Sequence, residues 1–130
     1  GDYNIINDAY NASPMSMEAS LSTLHQATVS KGKRAIAVLG DMLELGHVAV
    51  AAHRKVGQQA AEAGVSCVIT LGEMGREIAA GAKEAGLKQV YACDTHQQAA
   101  DRLKALLKPG DTVLFKGSRG MAMEKIIDLI

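Results

Sequence analysis

The chain has no tryptophan, and its aromatic residues make up only 3 % of 130 positions. That leaves little ring surface for stacking bases. Its 14 basic and 14 acidic residues cancel to a formal charge of zero, and neither sign forms a run. The electrostatic footprint of a nucleic-acid groove or an anionic membrane surface is therefore missing, and neither partner is expected. No apolar stretch approaches the roughly 20 residues that cross a bilayer, and no signal peptide opens the chain. A soluble, cytoplasmic protein is expected. Cysteine is scarce: Cys67 and Cys93 lie inside apolar runs without CxxC spacing, which predicts buried thiols rather than a disulfide or a metal site. Several signatures of chemistry are absent as well. There is no GxxxxGK[ST], so the chain has no phosphate loop of its own for ATP, and no GxGxxG. No serine sits in a GxSxG elbow. His25, His47, His53 and His96 lack the i,i+4 spacing of a helical zinc pair, so they are read as structural or surface groups and no metal site is expected.

Five short β-rich runs are present, and they alternate with helical patterns. The runs cover residues 3–8, 35–40, 67–72, 89–93 and 112–117. Such alternation predicts βαβ units and a Rossmann-like, three-layer αβα domain around a mainly parallel sheet of about five strands. Because the runs are mostly continuous rather than alternating, strands covered on both faces are expected. The length suits one domain over residues 1–130 with a core of its own, and an opening glycine in the middle of a strand pattern points to an excised fragment. Met17, Leu21 and Leu24 mark the buried stripe of a first helix that Ser13 and Pro14 open. The second helix presents Ala52, Val56 and Ala60, a small-residue face suited to close approach to the sheet. The third buries Ile78, Ala79 and Ala82. Thr95 and Gln98 predict a capping box for the fourth, whose Leu103, Leu106 and Leu107 face the core. Met123, Ile126, Ile127 and Ile130 do so in the last.

Three strand ends carry more polar chemistry than packing needs. The first holds Asp8, Tyr10 and Asn11, the second Asp41 and Glu44, and the third Lys116, Ser118 and Arg119. In a parallel sheet, right-handed crossovers bring these loops to one edge, outside the carboxyl ends of the strands, where ligands bind. One shared site is the consequence. Arginine there can grip a carboxylate or phosphate with two parallel bonds, and the flanking glycines let a ligand come close to the backbone. The plainer readings are that Asp8, Asn11 and Asp41 cap turns and that Lys116 is a solvated strand end.

Read together, these loops resemble one family. The stretch Asn-Asp-Ala-Tyr-Asn-Ala-Ser-Pro (7–14), then Val-Leu-Gly-Asp-Met-Leu-Glu-Leu-Gly (38–46), His53 with Val56 and Gly57, and Leu-Phe-Lys-Gly-Ser-Arg-Gly-Met-Ala-Met-Glu (114–124) are similar to the C-terminal domain of the Mur ligases, in the branch that adds D-alanyl-D-alanine. The match runs from about Asn4 to the end. The resemblance implies an ATP-dependent enzyme whose N-terminal domain holds UDP-N-acetylmuramoyl-tripeptide and whose central domain holds most of ATP and Mg2+. This domain would close over them and bring in D-alanyl-D-alanine for attack on an acyl phosphate. By the same resemblance Asp8, Tyr10 and Asn11 face ATP, while Asp41, Glu44, Lys116, Ser118 and Arg119 face the dipeptide. No catalytic residue is expected within this domain alone. The family's additional antiparallel strand is expected upstream of Gly1. Two other readings remain, a receiver-like domain and a stand-alone nucleotide-binding module. The first needs an aspartate after the third strand, where Leu71-Gly72-Glu73 stands; the second lacks a glycine-rich fingerprint.

Overall fold

The computed structural model describes residues 2–130. Its strands are β1 (Asn4–Asp8), β2 (Ala35–Gly40), β3 (Cys67–Leu71), β4 (Val90–Cys93) and β5 (Thr112–Lys116). They form one parallel sheet in the order β1-β5-β2-β3-β4. The helices are α1 (Pro14–Ala27), α2 (Ala49–Glu62), α3 (Gly75–Glu84), α4 (His96–Leu106) and α5 (Glu124–Leu129). The predicted runs and the observed strands agree to within a residue at each end.

Side chains alternate across the sheet as strand geometry requires. Ala35, Ala37 and Leu39 of β2 meet α1, α2 and α3 through Met17, Leu21, Leu24, Val56, Ala60 and Ile78. On the other face Ile36, Val38 and Phe115 meet α4 and α5 through Ala99, Leu103 and Ile126. Three layers result. β2, β3 and β5 are buried throughout, as their continuous apolar sequence predicts. β1 departs from that expectation: Asn4, Ile5 and Asn7 are exposed, because an edge strand has a neighbour on one side only. Cys67 and Cys93 are buried, unpaired core residues. Burial pushes the Cys67 thiol up to about 12 and raises that of Cys93.

Local sequence explains the helix starts. Ser13 accepts the Ser16 N–H and Ser16 Oγ accepts the Ser13 N–H, a reciprocal cap ahead of Pro14. At α4 the expected box forms only in part. Thr95 caps Gln98, but the Gln98 side chain reaches one residue further back and accepts from Asp94 N–H. The expected face of α2 packs in the core, with Val56 and Ala60 buried beside β2 and Ala52 against them. A contact that the sequence reading does not include adjoins it, to α3: a Cβ on Gly57 would stand 1.9 Å from Ile78 O, and one on Gly81 would stand 2.0 Å from Arg54 O. These two helices touch backbone to backbone.

At the opposite pole from the three loops, the buried Asp111 holds the start of β5. It accepts from Arg34 Nε and from Lys108 N–H, both at 2.9 Å, while Arg34 also donates to Leu106 O at 2.7 Å.

Candidate functional site at the carboxyl edge of the sheet

After β1 and β2 the chain turns to one face of the sheet, into α1 and α2. After β5 it turns to the other, through a 3-10 turn (Arg119–Met121) into α5. Neighbouring strands whose connections leave in opposite directions open a crevice between them. Here the crevice lies over the end of β5, walled by the β1 and β2 loops, which is where the sequence places its polar residues.

Lys116 is the last residue of β5 and only 1 % exposed. The register pairs it with Asp8 of β1. Lys116 Nζ donates to Asp8 Oδ2 at 2.5 Å and to Asn11 O at 3.0 Å, so it is a buried, partnered cation and not a solvated strand end. Ser20, on α1, donates to the same Asp8 oxygen at 3.0 Å. Partial burial pushes the Asp8 carboxyl up, but the Lys116 and Ser20 hydrogen bonds and the lysine charge pull harder and hold it below its ordinary value. Two residues expected on different ligands thus form one pair. Asn11 contributes its backbone to that pair, with its side chain exposed, and Tyr10 is 64 % exposed.

The β2 loop is tied down at three successive residues. Asp41, 8 % exposed, accepts Gly75 N–H on Oδ1 at 2.7 Å, which satisfies the first turn of α3. Its backbone carbonyl accepts Ser118 N–H at 2.9 Å. Met42 N–H donates to His53 Nε2 at 2.9 Å, and Leu43 N–H donates to Ser118 Oγ at 2.8 Å. His53 is fully buried, and its Nδ1 lies 2.6 Å from Ala49 O. A carbonyl on one ring nitrogen and an amide N–H on the other assign the neutral Nδ1–H tautomer. Ser118 therefore bolts the β5 loop to the β2 loop. Beyond these ties, Glu44 and Arg119 are exposed, and neither is ion-paired among the described residues. Glu44 sits in the left-handed region at φ 64°, as does Ala122, at φ 49°, beyond Arg119.

Of the residues expected at the site, Asp8, Asn11 and Lys116 meet directly, and Asp41 and Ser118 meet through the backbone. Tyr10, Glu44 and Arg119 stand on the rim. Ser20 and the positioning role of His53 escape a reading of the sequence. Ser20 could have been found, since it lies three residues beyond Met17 on the inward face of α1. A groove of about 330 Å3 runs along β1 past Asp8, Ser20 and Thr23. A larger hollow of about 600 Å3 lies beside β4 at the other edge of the sheet, where Arg102 stacks on Tyr91. It holds none of these groups, so the chemistry favours the smaller one. The described residues contain no group of three His, Cys, Asp or Glu able to hold a metal ion, and no helix among them is long and apolar enough to cross a membrane.

Comparison with known proteins agrees with this arrangement. The family described as "Mur ligase, glutamate ligase domain" matches residues 1–119. The UDP-N-acetylmuramoyl-tripeptide--D-alanyl-D-alanine ligase of Bacillus subtilis is 41 % identical over 98 % of this chain, and that of Escherichia coli is 34 % identical over 95 %. The chain spans only 28 % and 26 % of those two relatives. Among solved structures, MurF from Acinetobacter baumannii superposes with a TM-score of 0.85 at 29 % identity, over 99 % of this chain and 28 % of that one. MurF ligase from Thermotoga maritima, in complex with ADP, gives 0.81 at 26 % identity, over 98 % of this chain and 28 % of that one. With a family match over nearly its whole length and the three motif loops gathered on one edge of the sheet, the chain belongs to the Mur ligase family, whose glutamate ligase domain it carries.

Proposed function

We propose that residues 1–130 are the carboxyl-terminal, substrate-positioning domain of a cytoplasmic, ATP-dependent ligase that joins D-alanyl-D-alanine to UDP-N-acetylmuramoyl-tripeptide in peptidoglycan synthesis. The observation that carries this reading is the convergence of all three motif loops on one crevice, in a chain about a quarter the length of its ligase relatives. A crevice open on one side is half of a site. ATP would phosphorylate the tripeptide carboxylate, and the dipeptide amine would attack the acyl carbon with departure of phosphate. Asp8, Tyr10 and Asn11 form the ATP-facing wall. Arg119 and Glu44, exposed on the rim, form the dipeptide-facing wall with Ser118, while Asp41 and Lys116, buried behind it, hold its loops in place. The nucleotide phosphates and Mg2+ are held mainly by the central domain, and the UDP-sugar by the N-terminal one. Tyr10, Met15, Leu43, Val48 and Val50 are exposed apolar side chains around the crevice. They suit a surface that the remaining domains cover when the ligase closes.

In the complete ligase, Arg119→Ala is expected to raise the KM for D-alanyl-D-alanine about tenfold or more, from loss of a charge-assisted carboxylate contact, and to change the KM for ATP much less. Equal effects on both substrates would overturn the assignment. ATP-dependent ligation by the 130 residues alone would overturn the half-site.

A further inference from the structure

His25 and His53 both place a ring nitrogen on carbonyls at the two ends of α2. His96 is different, because it reaches 25 residues along the chain, to the β5 loop: its Nε2 lies 2.8 Å from Met121 O. A carbonyl can only accept, so Nε2 carries the proton and the imidazole donates. The half-buried His96 opens α4 directly after its cap, a turn held by Gln98 N–H on Thr95 Oγ1 and by Asp94 N–H on Gln98 Oε1. The ring therefore extends from a fixed base. Nor does α4 depend on that bond, since Ala99, Ala100 and Leu103 anchor it and are fully buried.

Met121 ends the 3-10 turn that carries Arg119, closed by Met121 N–H on Ser118 O at 2.8 Å and by Ala122 N–H on Arg119 O at 3.1 Å. Ser118, just before the turn, is bonded to the β2 loop through Asp41 O and Leu43 N–H. The turn is thus pinned at both ends from opposite faces of the sheet, by the loop that leads into α2 and by α4. Arg119 and Gly120, both exposed, stand between the pins. Next to the His96 contact, Ala122 holds φ 49°, a left-handed conformation that alanine rarely adopts and that persists only where its surroundings fix it.

We propose that His96 is a positioning residue for Arg119, its Nε2–H fixing the turn from which the guanidinium reaches a ligand carboxylate. The inference rests on the ligase reading, in which Arg119 takes the carboxylate of the dipeptide. His96 acts through the turn and makes no ligand contact of its own. A small displacement of a positioning element is enough to weaken the contact it presents.

The test uses the complete ligase, with D-alanyl-D-alanine and ATP as varied substrates and hydrogen exchange measured on the same enzyme. His96→Leu keeps much of the ring's volume and loses the donor. It is expected to raise the KM for the dipeptide about fivefold, part of the loss that Arg119→Ala causes, and to leave the KM for ATP within about twofold. Exchange at Met121 and Ala122 should quicken about threefold or more, while the β2 amides stay protected. His96→Gln, whose amide nitrogen takes the place of Nε2 as donor, should bring both readouts to within about twofold of wild type. In an Arg119→Ala background, His96→Leu should change the dipeptide KM by less than about twofold, because the group it positions is gone. A His96→Leu enzyme that leaves the dipeptide KM unchanged, moves both KM values equally, loses β2 protection along with the turn, or multiplies the effect of Arg119→Ala would overturn the inference. If Arg119→Ala itself leaves the dipeptide KM unchanged, the ligase assignment of Arg119 fails, and this inference with it.

Discussion

Removing Asp8 and removing Lys116 break the same contact, yet they should have opposite consequences. Asp8→Ala leaves a buried ammonium with Asn11 O as its remaining protein partner. Stripping one member from a fully buried pair costs about 3–5 kcal/mol. The Asp8 side chain is 42 % exposed, so water reaches the vacated place, and about 2 kcal/mol is the better figure. In a domain of this size that lowers Tm by roughly 6–8 °C. Lys116→Met instead takes away the buried charge together with its need for a partner and fills similar volume. It should be neutral or stabilising by about 1 kcal/mol. The combined variant should match Lys116→Met rather than the sum of the two. Urea unfolding of the four chains by circular dichroism measures this as a double-mutant cycle. The pH dependence supplies a second readout. The folded Asp8 carboxyl is held below its ordinary value of 3.8, so its stabilising share is present above that pH and is lost as pH falls through the folded value. Wild type should lose that share on acidification and Lys116→Met should not. If Lys116→Met unfolds as easily as Asp8→Ala, or if the two losses add, the pairing argument is wrong. If it folds well, any loss of ligation in the complete enzyme reports on function.

Gly57→Ala gains helix propensity, but its Cβ would stand 1.9 Å from Ile78 O, so it should cost about 3 kcal/mol through forced separation of α2 and α3; an unchanged Tm would contradict that contact. His53→Leu leaves the Met42 N–H buried without an acceptor, at about 1–3 kcal/mol, and should speed hydrogen exchange at Met42 and Leu43, which unchanged exchange would refute. With the Cys67 thiol pushed up to about 12 and that of Cys93 also raised, neither should react with a disulfide reagent at pH 8 until the chain unfolds; rapid labelling of the native protein would show the core to be open.

Much of this architecture is legible in the sequence because continuous apolar runs and helical stripes state their own burial. Ala35 to Gly40 reads as a central strand and is one. What escapes depends on neighbours distant in the chain. β1 has the same apolar look, but the strand order leaves it at the edge. Gly57 and Gly81 lie 24 residues apart, and nothing local says that their helices meet. The same limit applies at the site. The motif loops identify which residues gather, whereas the register that sets Lys116 beside Asp8 and the turn that directs Asp41 to Gly75 are tertiary facts. A lysine at a strand end looks solvated until a second strand is placed beside it.

The backbone contact between α2 and α3 bears on how the crevice can move. His53, which holds Met42, is on α2, and Gly75, which holds Asp41, opens α3. With the two helices in contact at Gly57 and Gly81, both anchors belong to a single stiff bracket. The β2 loop cannot follow one and leave the other. Any displacement of this edge of the sheet, including the closure proposed above, would therefore move Asp41, Met42 and Leu43 as one rigid piece, with the bending taken up elsewhere.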